Sequence, residues 1–420
     1  MIDIKRKEDC VGCNACVQRC PKHCIAMYSD EQGFLYPKVN LNECIDCHLC
    51  EKVCPVINIS ERRLPEKTFA AWNRNDNIRA KSSSGGVFFA LGKRIIEDGG
   101  VVFGAKFNDK WEVIHSSTDN VGGLSAFMGS KYVQSHIGNT YKEAEGFLKC
   151  GRKVLFSGTP CQITGLRRYL RKDYGSQLLT IDVVCHGVPS PGIWKAYLNT
   201  VKQSPNTEKI SELQSNSSSL HNPIVIENIS FRDKRLGWEN YGIAILYASL
   251  KDGSNIESRP LNNNKLVKTE ELFERYADNP FMQGFLKDLF LRPSCYKCPT
   301  KCGRSHSDIT IADFWGIRKY HPEIYSTKGV SLLLVNSQFG AEFIDTIDIE
   351  HHIVSYSEAI DGNPAIEKSA TKPKIADSFW NEYRKEGFFA VTSILNKMKP
   401  TFFQKIKYRL KTVIIRLFLN

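Results

Sequence analysis

Eight cysteines near the start of the chain fall into two runs of one spacing, Cys10-x-x-Cys13-x-x-Cys16-x-x-x-Cys20-Pro21 and Cys44-x-x-Cys47-x-x-Cys50-x-x-x-Cys54-Pro55. Tight Cys-x-x-Cys-x-x-Cys turns set three sulfurs on one concave face, with backbone N–H groups pointing into it. That is the ligand pattern of a four-iron cage, and a short helix carries the fourth Cys away to the other cage. The spacing therefore assigns Cys10, Cys13, Cys16 and Cys54 to one [4Fe–4S] cluster, and Cys44, Cys47, Cys50 and Cys20 to a second. The proline after each fourth Cys has no N–H to compete for the sulfur. Zinc modules use four ligands in paired Cys-x-x-Cys units rather than a triple plus one. Cys24 is left over and reads as a buried or free thiol.

These first ~55 residues resemble the bacterial two-cluster ferredoxins. A second constellation follows much later. Cys161 stands in Phe156-Ser-Gly-Thr-Pro-Cys-Gln-Ile, where small residues form a strand-to-helix turn. The helix dipole at such a position favours thiolate. Cys185 ends the next apolar run, in Val184-Cys-His-Gly-Val-Pro-Ser-Pro, and Cys295-x-x-Cys298-x-x-x-Cys302 comes before Asp308-Ile-Thr-Ile-Ala-Asp-Phe-Trp. These are five thiols for four places on a third cluster, and we expect Cys161, Cys185, Cys295 and Cys298, with Cys302 as substitute. A zinc site and a Cys161–His186 nucleophilic pair are the competing readings. Cys150, at a helix end, reads as packing.

The elements that must position these cysteines follow from the pattern of apolar residues. Lys153 to Ser157 is a short buried strand, Cys161 to Leu170 a helix, Leu178 to Cys185 a second buried strand and Pro191 to Val201 a second helix. Strand–helix–strand–helix at this spacing predicts parallel βαβ units. The carboxyl ends of neighbouring parallel strands line a ligand crevice, so Cys161 and Cys185 should face the same one. Ser84 to Ile96 reads as a helix ended by Gly99-Gly100, followed by the strand Val101 to Ala105. Asn206 to Asn222, polar and Ser-rich, reads as a mobile insertion.

The whole chain then divides as follows. A ferredoxin-like α+β head covers residues 1–60, and a polar, Pro-containing linker covers 61–68. An α/β body with a mixed, partly parallel sheet covers 69–361, and a helical tail covers 362–420. At 420 residues and 42% hydrophobic content the chain can bury more than one core. Fifteen cysteines, an odd number, argue against a disulfide scaffold. Met1-Ile-Asp-Ile-Lys-Arg-Lys has no apolar signal region behind it, and no apolar run is long enough to span a membrane. A reducing cytoplasm is the expected setting. The net charge of +12 permits contact with nucleic acid, but no nucleic-acid motif accompanies it, and none is expected as a partner. After Glu386 no acidic residue occurs, and Lys397, Lys399, Lys405, Lys407, Arg409, Lys411 and Arg416 alternate with apolar residues at helical spacing. Such a helix either docks on the body or lies peripherally on the inner membrane face.

Six segments of the body occur in a telling order: Ser82-Ser-Ser-Gly-Gly, Gly129-Ser-Lys-Tyr-Val-Gln-Ser, Ser157-Gly-Thr-Pro-Cys-Gln-Ile-Thr-Gly-Leu, Cys185-His-Gly-Val-Pro-Ser, Cys295-x-x-Cys298 and Asp308-Ile-Thr-Ile-Ala-Asp-Phe-Trp-Gly. From about Phe69 to Ser337 they resemble the beta-subunit family of deazaflavin-coenzyme (F-four-twenty) hydrogenases and dehydrogenases. The resemblance implies an oxidoreductase that uses FAD and iron–sulfur clusters. Electrons would come from ferredoxin or another redox protein and go to an unknown small organic or deazaflavin-type acceptor. An electron-transfer subunit without substrate chemistry is the alternative. A flavin pyrophosphate needs free backbone N–H groups at a helix start, which Ser83, Ser84, Gly85 and Gly86 would offer; on its own, that motif is an ordinary Ser N-cap. Gly129, Ser130, Lys131 and Tyr132 would bring a cation to the phosphate or ring, or form a solvated loop. Gly158 and Thr159 would touch the ring. His186 would donate a proton, or be structural.

Overall fold

The computed structural model describes residues 1–203, 224–250 and 266–398. In the head, the two Cys runs fold alike. Gly12 and Asp46, at the same place in each run, take positive φ (70° and 49°), as do Asn14 and His48 (64° and 58°). These left-handed residues curl the chain around the sulfurs and start the short helices α1 (Ala15–Arg19) and α2 (Leu49–Lys52). Cys20 and Cys54 follow directly behind those helices. A hairpin of β1 (Ile25–Ser29) and β2 (Leu35–Val39) joins the two runs.

The segment after the head is pinned to the body. Arg63 donates its N–H to Cys302 O, and Glu66 donates to Val335 O as β3 (Lys67–Asn73) begins. The body continues with α3 (Asp76–Lys81), α4 (Val87–Glu97), β4 (Val101–Phe107), β5 (Val113–Thr118), α5 (Thr140–Lys149), β6 (Val154–Gly158), α6 (Pro160–Leu170), β7 (Leu178–Val183) and α7 (Pro191–Gln203). Then come β8 (Ile224–Asp233), β9 (Gly242–Leu250), β10 (Leu266–Arg275), α8 (Pro280–Leu286), β11 (Ile309–Asp313), α9 (Ile317–Tyr320), β12 (Ser331–Val335), α10 (Gln338–Ile344), β13 (Ile349–Ile353) and α11 (Tyr356–Gly362). Helices α12 (Ala376–Glu386) and α13 (Phe389–Lys397) close the described part.

The main sheet has the order β13-β3-β12-β11-β7-β6-β4-β5. Its centre, β11-β7-β6-β4, is parallel, and both edges are antiparallel, giving the mixed, partly parallel sheet. The central β6–α6–β7 unit is a parallel crossover in register Val154↔Leu178. β8, β9 and β10 form a separate antiparallel meander.

Three expectations need adjusting. The helix expected from Ser84 starts at Val87, because Gly85 lies flat against Ala71 O and Ser331, where a Cβ would come within 2.4 Å of that carbonyl. The strand expected to reach Cys185 ends at Val183, and its last ladder bond runs from Val184 N–H to Ile311 O. Cys150 is exposed rather than packed. The expected insertion and the basic end of the tail from Lys399 onward lie outside the described residues.

The head and body share one hydrophobic core. Val11, Cys13, Ala15 and Val53 of the head pack with Phe103, Phe156, Ile163, Leu166 and Tyr141 of the body. The other side of the head, with Ile2, Cys20, Ile25 and Cys50, forms a small cluster of its own.

Candidate redox site

The head places its eight cysteines in two groups. Cys13 lies among Cys10, Cys16 and Cys54, close enough for each thiolate to raise its neighbour's pKa, and burial pushes Cys13, Cys16 and Cys54 up before that. Cys20, Cys44, Cys47 and Cys50 line one cavity together with Met1, Ile45 and His48. Cys54 is thus a neighbour of the first run, while Cys20 shares the second run's cavity, which Cys24 also lines. Backbone N–H groups aim at the sulfurs: Gly12 at Cys10 (3.4 Å) and Ile2 at Cys50 (3.2 Å). At Cys20, burial pushes the thiol up, but hydrogen bonds from Cys24, Lys22 and His23 outweigh it and bring the pKa below the ordinary value. Buried sulfurs ringed by N–H donors fit an iron–sulfur cage, whose iron supplies the positive charge that thiolates lack there. Cys24 is buried and lies 3.4 Å from Cys20 Sγ.

The body gathers a second set. Cys161 is the second residue of α6, whose capping box joins Thr159 and Gln162. Cys185 lies just past β7, and Cys295 and Cys298 flank the turn after α8. Cys161 has Cys298 and Cys185 as neighbours; Cys295 has Cys185, Cys298 and Cys161. Burial pushes Cys161 up to about 12 and Cys185 up to about 11. Val188 N–H points at Cys295 Sγ (3.4 Å), and Thr159 Oγ1 lies 3.2 Å from Cys161 Sγ. Cys302 takes φ 59° and donates instead to Glu367 O. Among the described residues, no three His, Cys, Asp or Glu side chains converge as they would on a single metal ion.

His186, beside Cys185, is half-exposed and bonded through Nε2 to Asp288 Oδ1 at 2.5 Å. Asp288 is a non-glycine residue at φ 59°, and Thr371 N–H holds its other oxygen at 3.1 Å. Asp288 belongs to no motif, so spacing offered no clue to it.

The two loops expected at a flavin meet. Ser130 donates both its N–H (2.6 Å) and its hydroxyl (2.9 Å) to Ser83 Oγ. No side chain caps α4, which leaves its first-turn N–H groups open, while Gly85 N–H is taken by Ser331 Oγ. Lys131 is half-buried, and its ammonium donates to Met128 O (2.9 Å) and Gly129 O (3.1 Å). Burial pulls it down to about 7. Tyr132 stacks against Phe285, which in turn meets the His186 ring edge-on. Gly158 packs against Gln162 and His115.

Sequence spacing missed two partners here. Arg232, on β8, is buried, paired with Asp313 at 3.0 Å, bonded to Ser83 O (3.3 Å) and stacked 3.8 Å over Tyr241. Lys234 Nζ donates to Arg79 O (2.7 Å) and Ser84 O (3.0 Å). Together they place two cations under the Ser83–Gly86 loop, a chemistry suited to a phosphate. His115 is the other omission. Its Nε2–H donates to Ser157 O (3.0 Å), Ser135 donates to its Nδ1 (2.9 Å), and Gln162 Nε2 donates to Ser135 (2.8 Å). This chain of bonds runs from the strand beside the Lys131 loop to the start of α6.

Comparison with known proteins finds two family matches along the chain. Residues 9–58 match the family described as 4Fe-4S dicluster domain, and residues 151–359 match the family described as the C-terminal part of the beta subunit of coenzyme F420 hydrogenase/dehydrogenase. "Ferredoxin 7Fe" of Hydrogenibacillus schlegelii is 40% identical over 73 residues, which cover 16% of this chain and 87% of that protein. The xenon-derivatised F420-reducing [NiFe] hydrogenase complex of Methanosarcina barkeri contains a chain similar at 15% identity with a TM-score of 0.41, over 74% of this chain and 97% of that one. The chain is an iron–sulfur protein that belongs to the coenzyme F420 hydrogenase/dehydrogenase beta-subunit family, with a 4Fe-4S dicluster domain at its N-terminal side.

Proposed function

We propose that this chain is a flavin-dependent iron–sulfur oxidoreductase. It takes single electrons from ferredoxin or another redox protein and delivers them in pairs to a small organic or deazaflavin-type acceptor. Bound clusters would supply one-electron steps, and FAD the exchange between one- and two-electron chemistry. The observation that carries the reading is the meeting of Cys161, Cys185, Cys295 and Cys298, from three distant segments, beside Thr159 and His186. These four thiols would hold a third [4Fe–4S] cluster, as Cys10, Cys13, Cys16 and Cys54, and Cys20, Cys44, Cys47 and Cys50, would hold the head's two. Ser83, Ser84, Gly86 and Ser130 would take the flavin pyrophosphate, with Arg232 and Lys234 supplying positive charge behind them. Asp288 accepts Nε2–H of His186, which leaves Nδ1 to hold or give up a proton at the acceptor.

The test is purification without oxygen, followed by metal analysis, flavin extraction and electron paramagnetic resonance of the reduced protein. The reading requires about twelve iron and twelve sulfide per chain, three four-iron clusters, together with extractable FAD. About eight iron and no flavin would reduce the chain to an electron-transfer subunit feeding a partner enzyme.

A further inference from the structure

Arg292 has no exposed surface, and its three donor nitrogens go to neutral oxygens: Nε to Cys10 O (2.8 Å), Nη1 to Gln134 Oε1 (2.8 Å) and Nη2 to Leu35 O (2.9 Å). Among the described residues, no carboxylate comes within ion-pair distance of it. A guanidinium taken out of water without a counter-charge is strongly unfavourable. Its guanidinium packs over the rings of Tyr36 (4.4 Å) and Phe34 (5.4 Å). It is bonded to the backbone of Cys10, presses on Gly12 and lies three residues before Cys295. A cluster held by Cys10 and its partner thiolates would supply the anionic counter-charge.

The same region holds the head on the body. Gly12, at φ 70°, lets Arg292 and Gln134 press onto it, since a Cβ there would stand 2.8 Å from both side chains. Gln134 Nε2 also donates to Val11 O at 3.1 Å. On α6, a Cβ at Gly165 would lie 2.9 Å from Cys13 Cβ and 3.1 Å from Cys13 Sγ. Gly165 is one helical turn beyond Cys161, so both face the same side of α6. Among the described residues, no such contact ties the Cys20–Cys44–Cys47–Cys50 group to the body cysteines. Cys47 is exposed, and Ile45 beside it is 59% exposed.

We infer that Arg292 and Gly165 are positioning residues that make the Cys10–Cys13–Cys16–Cys54 group the one through which electrons leave the head for the Cys161-centred group. This rests on the reading of three clusters given above. In each transfer the inner head group loses one electron and the body group gains it, and an external one-electron reductant such as reduced ferredoxin refills the head. Bonded to Cys10 and pressed on Gly12, the buried cation would favour the reduced, more negative state of the inner group over that of the outer group.

Two variants of the full-length chain, purified without oxygen, test this. Arg292→Gln keeps a neutral hydrogen-bonding side chain and removes the charge. Potentiometric titration should show the inner head cluster shifted to a more negative midpoint while the outer one stays in place. Gly165→Ala favours helix α6 and wedges a methyl against Cys13. After rapid mixing with a sub-stoichiometric amount of reductant, the reduced signal of the body cluster should appear at least ~10-fold more slowly, the scale on which small misplacements act. Iron content close to wild type would show that both variants still assemble. An unchanged inner midpoint together with an unchanged transfer rate would overturn the inference. A wild-type chain with only about eight iron would overturn the three-cluster reading instead.

Discussion

At the scale of single residues, burial decides what each charged group can do. Arg232 is balanced by Asp313, to which Trp238 Nε1 also donates at 2.7 Å. Removing one member strands the other in the interior. Arg232→Met should cost about 3–5 kcal/mol in urea unfolding, with partial recovery when Asp313→Leu is added. His115 illustrates the opposite sign of charge control. Its ring donates to a carbonyl and accepts from a hydroxyl, so it is held neutral, and burial pulls its pKa from the usual 6.5 to about 4. The unfolded chain then binds the extra proton first, and stability falls as pH drops below 6.5. Between pH 7 and pH 5 this amounts to about 2 kcal/mol. His115→Asn should flatten that part of the pH profile of unfolding while lowering stability at pH 7. An equal slope in the variant would contradict the assignment.

At the scale of elements, α6 does the most positioning. Its N-terminus presents Cys161, its next turn carries Gly165, and Arg167 on its far half donates to Asp308 at 3.0 Å. Asp308 in turn receives Thr180 N–H (2.9 Å) and Ser337 Oγ (2.8 Å), so one carboxylate binds α6, β7 and α10 together. The Thr159–Gln162 capping box fixes where α6 begins and hence where Cys161 points. Thr159→Ala should cost about 1 kcal/mol by chemical unfolding. The crossover β6–α6–β7 was legible in the sequence because the apolar runs are short, bounded and continuous, as strands buried on both faces must be. The meander β8-β9-β10 was not. Its first strand breaks register between Ile226 and Asn228 and again between Ser230 and Asp233, so the apolar alternation that marks a strand is interrupted.

At the scale of the molecule, the head is part of the fold rather than an appendage. Val11, Cys13, Ala15 and Val53 fill the surface formed by Phe103, Ile163 and Leu166. Deleting residues 1–60 should expose that surface. The truncated chain should bind a hydrophobic dye and unfold at a lower temperature than the whole protein; equal melting temperatures would argue for independent units. Stripping iron from the full chain with chelator and oxidant should produce a milder loss of the same kind, because ligand binding stabilises only the folded state. Among the described residues, no helix is long and apolar enough to cross a membrane.

Local chemistry alone marked the eight head cysteines as two four-iron ligand sets, and assigned Cys20 and Cys54 each to the other run's set, because the ligand pattern of a four-iron cage is written in spacings of two and three residues. The same holds for the parallel centre of the sheet, whose periodicity is local. The sequence also singled out the five later cysteines and favoured Cys161, Cys185, Cys295 and Cys298 with Cys302 as substitute; in the structure Cys185, Cys295 and Cys298 neighbour Cys161 while Cys302 donates to Glu367 O. Only the tertiary structure decided that, along with the partners Asp288, Arg232, His115 and Arg292. Each of these lies in a stretch without a motif of its own and acquires its role from residues as distant in the chain as Cys10 is from Arg292. Burial and counter-charge are properties of the packed interior, and no window of sequence contains them.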